Sequence, residues 1–437
     1  DQIPLRAVQS GQLGRFDLVD PTDGGKAQRT SLSGNWRRSG EASSTEVNAY
    51  VVRQSLDLYS NFTYFLDNPV QGDQFAQPDS RTTSAVNVRH AWTAELLGKE
   101  VENQIGLQLQ HDTIHNALLN TQARQPISTT RADHIRETSL GVWFDNAVRW
   151  TPTFRTVAGL RADSYHFDVR SDLADNTGKR DAAVVSPKLN LIFGPWASSE
   201  FYVNLGRGFH SNDARGTVTR IDPKTGDPAD PVTPLVRATG YELGLRTSPL
   251  PGLQTSLSVY RLDFGSELLF VGDAGTTEAG RPSKRVGFEL ANYYRHRDWL
   301  TVDADLAFAQ ARFKDPAPEG EHIPGAVDGV ASLAIAVDNL GPWFGALQFR
   351  YFGPRPLIED NSQRSKATSV INGRIGYKFN PRLSVELEGF NLTNRQVSAI
   401  DYYYTSRLPG EAAAGVADVH FHPMEERSFR LSLHLGF

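Results

Sequence analysis

The stretch Ser428-Phe-Arg-Leu-Ser-Leu-His-Leu-Gly-Phe437 places Phe429, Leu431, Leu433, Leu435 and Phe437 on every second position, with Arg430, Ser432 and His434 interleaved. A period of two puts the apolar side chains on one face of an extended strand and the polar ones on the other. Further back along the chain the pattern repeats. Leu383, Val385 and Leu387 alternate with Ser384, Glu386 and Glu388, and Leu300, Val302, Ala304 and Leu306 alternate with Thr301, Asp303 and Asp305. Amphipathic helix windows are scarce, so the chain reads as all-β.

A soluble sandwich shows the same alternation, and it is the connections that discriminate. The pattern predicts about seventeen strands, among them 26–38, 46–66, 101–112, 133–150, 253–271, 382–403 and 425–437. Short connections at 39–45, 98–99, 151–152, 195–198, 249–252, 297, 341 and 380–381 alternate with long ones at 67–81, 113–132, 170–183, 211–238, 272–283, 314–326, 355–365 and 404–424. Short turn, long loop, short turn is the pattern of an outer-membrane barrel. Tryptophan supports it. Trp150, Trp196, Trp299 and Trp343 sit beside short turns, with Trp36 and Trp92 less close and Trp143 inside a strand; amphipathic rings favour a membrane interface.

Composition removes other classes. The 437 residues include no cysteine and one methionine, which excludes disulfides and cysteine nucleophiles, suits an oxidising compartment and argues against a soft-metal copper importer. A net charge of -5 with Lys and Arg dispersed leaves no basic stripe for nucleic acid. No apolar run reaches the ~18 residues of a transmembrane helix. The opening Asp1-Gln2-Ile3-Pro4 lacks the features of a signal peptide, so the chain is expected to be mature or cut from something longer. With the C-terminus on the short-turn side, the strand at 26–38 runs toward the short turns and residues 1–25 are expected outside the cell. A single-chain barrel needs an even number of antiparallel strands, which predicts at least one more strand ahead of these.

Eight pieces, GRFDLVD at 14–20, NFTYFL at 61–66, GLRAD at 159–163, SPKLNLIFGP at 186–195, GFHSNDARG at 208–216, GYELGLR at 240–246, GFNLTNRQ at 389–396 and DYYYTSRLPGE at 401–411, are weak singly and strong in this order. Together, across the whole chain, they resemble TonB-dependent outer-membrane receptors, and Phe437 resembles the terminal signal of barrel assembly. The resemblance implies a plugged barrel of about 22 strands. Residues 1–437 would be its transmembrane β-barrel domain, N-terminally incomplete, with the plug not in this chain. It further implies a multi-pass protein of the Gram-negative outer membrane, usually monomeric, whose partners are outer-membrane lipid, the TonB-ExbB-ExbD system acting through the plug, and a metal chelate or other small nutrient.

Such transport needs no covalent chemistry, no catalytic residue and no cofactor. His210-Ser211-Asn212-Asp213 has hydrolase-like letters but no oxyanion-hole signature. Seven histidines fall on the loop side: His111, His115, His134, His210, His322, His420 and His422. Of these, His420 and His422 share a face of an extended segment and are weak candidates for metal chelation; hydrogen-bonded loop histidines are the competing reading. Tyr402, Tyr403, Tyr404 and Arg407 fit a vestibule that stacks on and pairs with an anionic chelate, or a rim girdle. Asp213 and Arg215 fit ligand contact or loop packing. Arg161, Asp163, Glu242, Arg246, Asp303, Asp305, Glu386 and Glu388 fit a polar lumen. The expected function is TonB-dependent import of a scarce nutrient such as a ferric siderophore. The alternatives are a plugless porin-like channel, a surface binding receptor, and, remotely, a soluble all-β enzyme.

Overall fold

The computed structural model describes residues 2–271 and 276–436. The chain opens with β1 (Ile3–Pro4) and α1 (Leu5–Gln9), followed by β2 (Gly24–Ser39), β3 (Ser43–Ser60), β4 (Phe75–Leu96), β5 (Lys99–Gln122), β6 (Gln125–Thr151) and β7 (Phe154–Ser171). Next come β8 (Gly178–Trp196), β9 (Ser199–Ser211), β10 (Leu235–Thr247), β11 (Leu253–Phe264), β12 (Leu268–Val271), β13 (Thr276–Ala279), β14 (Ser283–His296) and β15 (Leu300–Phe313). The last are β16 (Gly329–Leu340), β17 (Trp343–Phe352), β18 (Thr368–Asn380), β19 (Leu383–Phe390), β20 (Ser398–Ser406), β21 (Val416–Pro423) and β22 (Ser428–Leu435).

Seventeen of these strands, all but β1, β12, β13, β20 and β21, form one antiparallel sheet that curls into a barrel. Each strand pairs with its sequence neighbour in the wall, and β19 pairs with β22. Among the described residues β2 pairs only with β3 and β22 only with β19; both run from the loop end to the turn end. The short connections that the sequence predicts lie at one end, and one further two-residue turn, at 123–124, lies at the other.

Apolar side chains face outward in rows that continue from strand to strand. Leu243 lies opposite Val259, Val259 opposite Phe288, and Phe288 opposite Phe308. Leu243, Val259 and Phe308 are between 44% and 60% exposed, which only a hydrocarbon solvent makes favourable on so continuous a surface. The charges expected in the lumen lie on the opposite face. Glu242 and Arg246 alternate with Tyr241 and Leu243, and Arg161 chelates Asp163 at 2.7 Å. Gly106 serves this inner face, since a Cβ there would lie 2.2 Å from the Trp143 ring. Trp36, Trp196 and Trp343 are half exposed near the turn end.

Toward the loop end the phase of the alternation inverts. On β5, Leu107 and Leu109 point outward, whereas Ile114 and Leu118, at odd spacing from them, point inward and are buried. On β7, Leu160 points outward and Phe167 and Val169 inward. Where the wall leaves lipid for water, the apolar face must turn to the interior, and there it forms a cluster of Ile114, Ile135, Phe167 and Val169 with Ala214 and Val218 of the 212–234 loop.

Several boundaries differ from expectation. The segment 113–132 is not a loop: β5 and β6 run on to a two-residue turn, Ala123-Arg124, with φ of 49° and 66°. The expected strand 382–403 is broken after Phe390, where Asn391 and Asn394 adopt positive φ and the Asn391 side chain donates to the carbonyls of Arg395 and Glu425. Residues 404–424 are not one loop either, because β20 and β21 pair there and β1 joins them in a separate three-stranded sheet. The expected strand 46–66 ends at Ser60. The expected strand 253–271 ends at Phe264, the 272–283 connection falls partly outside the described residues, and Phe437 lies outside them.

Candidate functional site

At the loop end the 212–234 loop folds inward over β5 to β7. Asp213 receives Nη2 and Nε of Arg215 at 2.6 and 3.0 Å and the Arg215 backbone N–H at 2.9 Å. Burial opposes charge on Asp213, yet the Arg215 guanidinium beside it holds the carboxyl below its usual range. Beneath the loop lies a cavity of about 570 Å³ lined by Arg29, Gln54, Asp79, Arg81, Asn116 and Arg215. β2, β3, β4 and β5 supply the wall residues, each at an inward position. Arg81 reaches Asp79 at 3.5 Å, while Arg81 Nε and Asn116 Oδ1 are buried without a protein partner. With Asp213 counted beside the Arg215 it engages, three guanidiniums face two carboxylates, and the net positive mouth suits an anionic guest.

The other expected site residues do not converge on this cavity. His420 is fully buried in the β20–β21 hairpin, where Ser406 Oγ lies 2.7 Å from Nε2 and the Asp418 carbonyl 3.0 Å from Nδ1. Its ring stacks on Tyr404 at 3.7 Å, and burial pushes its pKa down to about 4. His422 is exposed on the same hairpin. The expected chelating pair is therefore corrected: both ring nitrogens of His420 are occupied, and among the described residues no group of three or more His, Asp or Glu side chains is placed to hold a metal.

Tyr404 donates to Gln2 Oε1 at 2.7 Å, Arg407 donates to the carbonyls of Phe65 and Glu411, and Tyr402 is 39% exposed on β20. Tyr403 is opposite Val419. Arg6 completes this assembly, with two hydrogen bonds to Glu411 at 2.8 Å each and others to Ser406 and the Asp418 carboxylate. Tyr404 and Arg6 tie the N-terminal segment to the β20–β21 hairpin, and Arg407 ties that hairpin to Phe65. His210 lies near the loop-end limit of β9 with Nε2 buried and unpartnered. Sequence reading passed over Arg29, Gln54, Arg81 and Asn116. Their signal was the inward parity of polar residues near the point where the alternation inverts.

A family model described as a TonB dependent receptor-like β-barrel matches residues 5–392. The chain belongs to the TonB-dependent receptor β-barrel family. It is an outer-membrane barrel of Gram-negative type and not an enzyme. Its fold is similar to the ferric-catecholate import receptor Fiu of E. coli K12 (12% identity, TM-score 0.72, 95% of this chain and 65% of that one). It is also similar to the ferric yersiniabactin uptake receptor FyuA of Yersinia pestis (14%, 0.72, 94% and 61%) and the ferric citrate transporter FecA (12%, 0.75, 99% and 65%). The chain spans 61–65% of the length of these receptors.

Proposed function

We propose that this TonB-dependent receptor barrel imports a scarce nutrient as an anionic metal chelate, a ferric siderophore being the first candidate. The observation that carries the reading is the arginine-lined cavity under the inward-folded 212–234 loop. Guanidiniums recognise carboxylate or phenolate oxygen bidentately, and a cavity walled by low-dielectric barrel strengthens the attraction. Uptake would be driven by the TonB-ExbB-ExbD system through a plug domain, with further strands completing the barrel beside β2 and β22. Likeness to a copper transporter at 17% identity concerns the fold alone. With no cysteine and a single methionine, Met424, this chain offers few soft donors for bare copper.

The test is a titration of ferric chelates of differing charge against the receptor purified in detergent, for the natural protein and the Arg29→Gln, Arg81→Gln double variant. An anionic chelate binds the natural protein, and the variant weakens it about tenfold, as the loss of charge-assisted hydrogen bonds requires. Equal affinity in both proteins, or preference for a cationic chelate, overturns the reading.

A further inference from the structure

The loop-side histidines are partnered unequally. His111 Nδ1 lies 2.8 Å from Thr138 Oγ1, and His420 is held at both ring nitrogens. His115 and His134 face each other instead. They sit directly opposite on β5 and β6, with ring centroids 4.1 Å apart, edge to face. His134 Nε2 is buried with no hydrogen-bond partner, while the His115 ring is exposed.

Parity puts both on the outer face of the wall. His115 shares the odd positions of Leu107 and Leu109, and His134 the even positions of Leu140 and Val142. Between those leucines and the pair, the outward positions are His111 and Thr113 on β5 and Thr138 and Arg136 on β6, so the pair stands beyond the apolar belt, in water. The row continues to Ser80 on β4 and Arg170 on β7. A groove of about 600 Å³ runs past both imidazoles and is lined also by Asp57, Asp172 and Arg170. Arg136 and Arg170 flank the pair and the two carboxylates offset them, so the donor atoms decide what binds.

Those donors are two imidazoles held at a spacing that the ladder fixes. Opposite residues of an antiparallel pair have Cβ atoms about 4.5 to 5.5 Å apart. A cation with metal–nitrogen bonds of about 2.0 to 2.1 Å needs its two ligating nitrogens roughly 3 Å apart. Rings 4.1 Å apart reach that arrangement when the exposed His115 ring turns. Imidazole suits copper, nickel and zinc, whereas magnesium and calcium take oxygen ligands.

We propose that His115 and His134 form a two-imidazole site for a divalent transition cation, taken as the hydrated ion with water from the groove in its remaining positions. The bound cation bridges β5 to β6 where their hairpin stands clear of lipid. The site is on the opposite face of the wall from the arginine-lined cavity, so its failure leaves the import reading untouched.

The test is a titration of the detergent-purified receptor, prepared without a histidine tag, with simple salts of Cu²⁺, Zn²⁺ and Mg²⁺ near neutral pH. Electron paramagnetic resonance of the first equivalent of Cu²⁺ shows coupling to two imidazole nitrogens in the natural protein, a reading that needs no variant. His115→Gln and His134→Gln each remove the two-nitrogen signature and weaken Cu²⁺ and Zn²⁺ binding about tenfold or more. His111→Gln, on the same face of β5, leaves both unchanged, and Mg²⁺ does not compete. Zn²⁺ also slows hydrogen exchange over 113–117 and 132–136. Heat-modifiable gel mobility checks that each barrel is folded. A first equivalent without two-nitrogen coupling, undiminished affinity in folded His134→Gln, or an equal loss in His111→Gln overturns the proposal.

Discussion

His420 shows how a residue-scale reading goes right in spacing and wrong in role. The period-two argument correctly put it on one face of an extended segment with His422, but spacing cannot say what covers that face. Here Tyr404, Ser406 and the N-terminal segment, about four hundred positions away in sequence, close over it. Covered, it stays neutral. A base whose folded pKa of about 4 lies below the unfolded value near 6.5 binds more protons when unfolded. The hairpin is therefore fully stable above about pH 6.5 and weakens as pH falls toward 4, by roughly 3 kcal/mol at most. Hydrogen exchange over 398–423 is expected to accelerate across that window in the natural protein and to lose the pH dependence in His420→Gln. The same acceleration in the variant would assign the effect to another group.

At the scale of elements, the two loop-end assemblies rest on different physics. The N-terminal segment is held by polar contacts: Arg6 bridges Glu411, Asp418 and Ser406, and Tyr64 donates to the Gln2 carbonyl at 2.6 Å. Arg6→Ala leaves two half-buried carboxylates without their cation, a loss of about 1 to 3 kcal/mol. Limited proteolysis should then cut within the first 23 residues first. The 212–234 loop is held by apolar burial against Ile114, Ile135 and Phe167. Phe167→Ala, at a fully buried position, costs about 3 to 5 kcal/mol. Exchange should rise in 212–234 while the barrel keeps its heat-modifiable mobility, and unchanged protection there would contradict the packing account. These loops were the least legible part of the sequence for a physical reason. Alternation was read as one phase with apolar residues outward, and beyond the membrane boundary the solvent changes sides. Ile114, Leu118 and Ile135 then look like breaks in the pattern when they are its inverted continuation.

For the whole molecule, the wall was legible because lipid imposes period two on every strand and the turn end imposes short connections. Seventeen strands were expected and seventeen form the sheet. The candidate site was less so, since luminal arginines such as Arg29 and Arg81 look like any polar position until the curl of the sheet sets them around one cavity. β2 and β22 run in the same direction and each pairs on one side among the described residues, so antiparallel closure calls for an odd number of intervening strands. The receptor isolated from outer membranes is accordingly expected to have an intact mass above 48.3 kDa; that mass alone would assign closure to a different partner. Central to the account is energised import. Uptake of a radio-iron-labelled anionic chelate by cells expressing the receptor, with and without TonB, tests it most directly: the account predicts uptake that saturates and falls to background without TonB, and equal, non-saturating uptake in both strains would contradict it in favour of a passive channel.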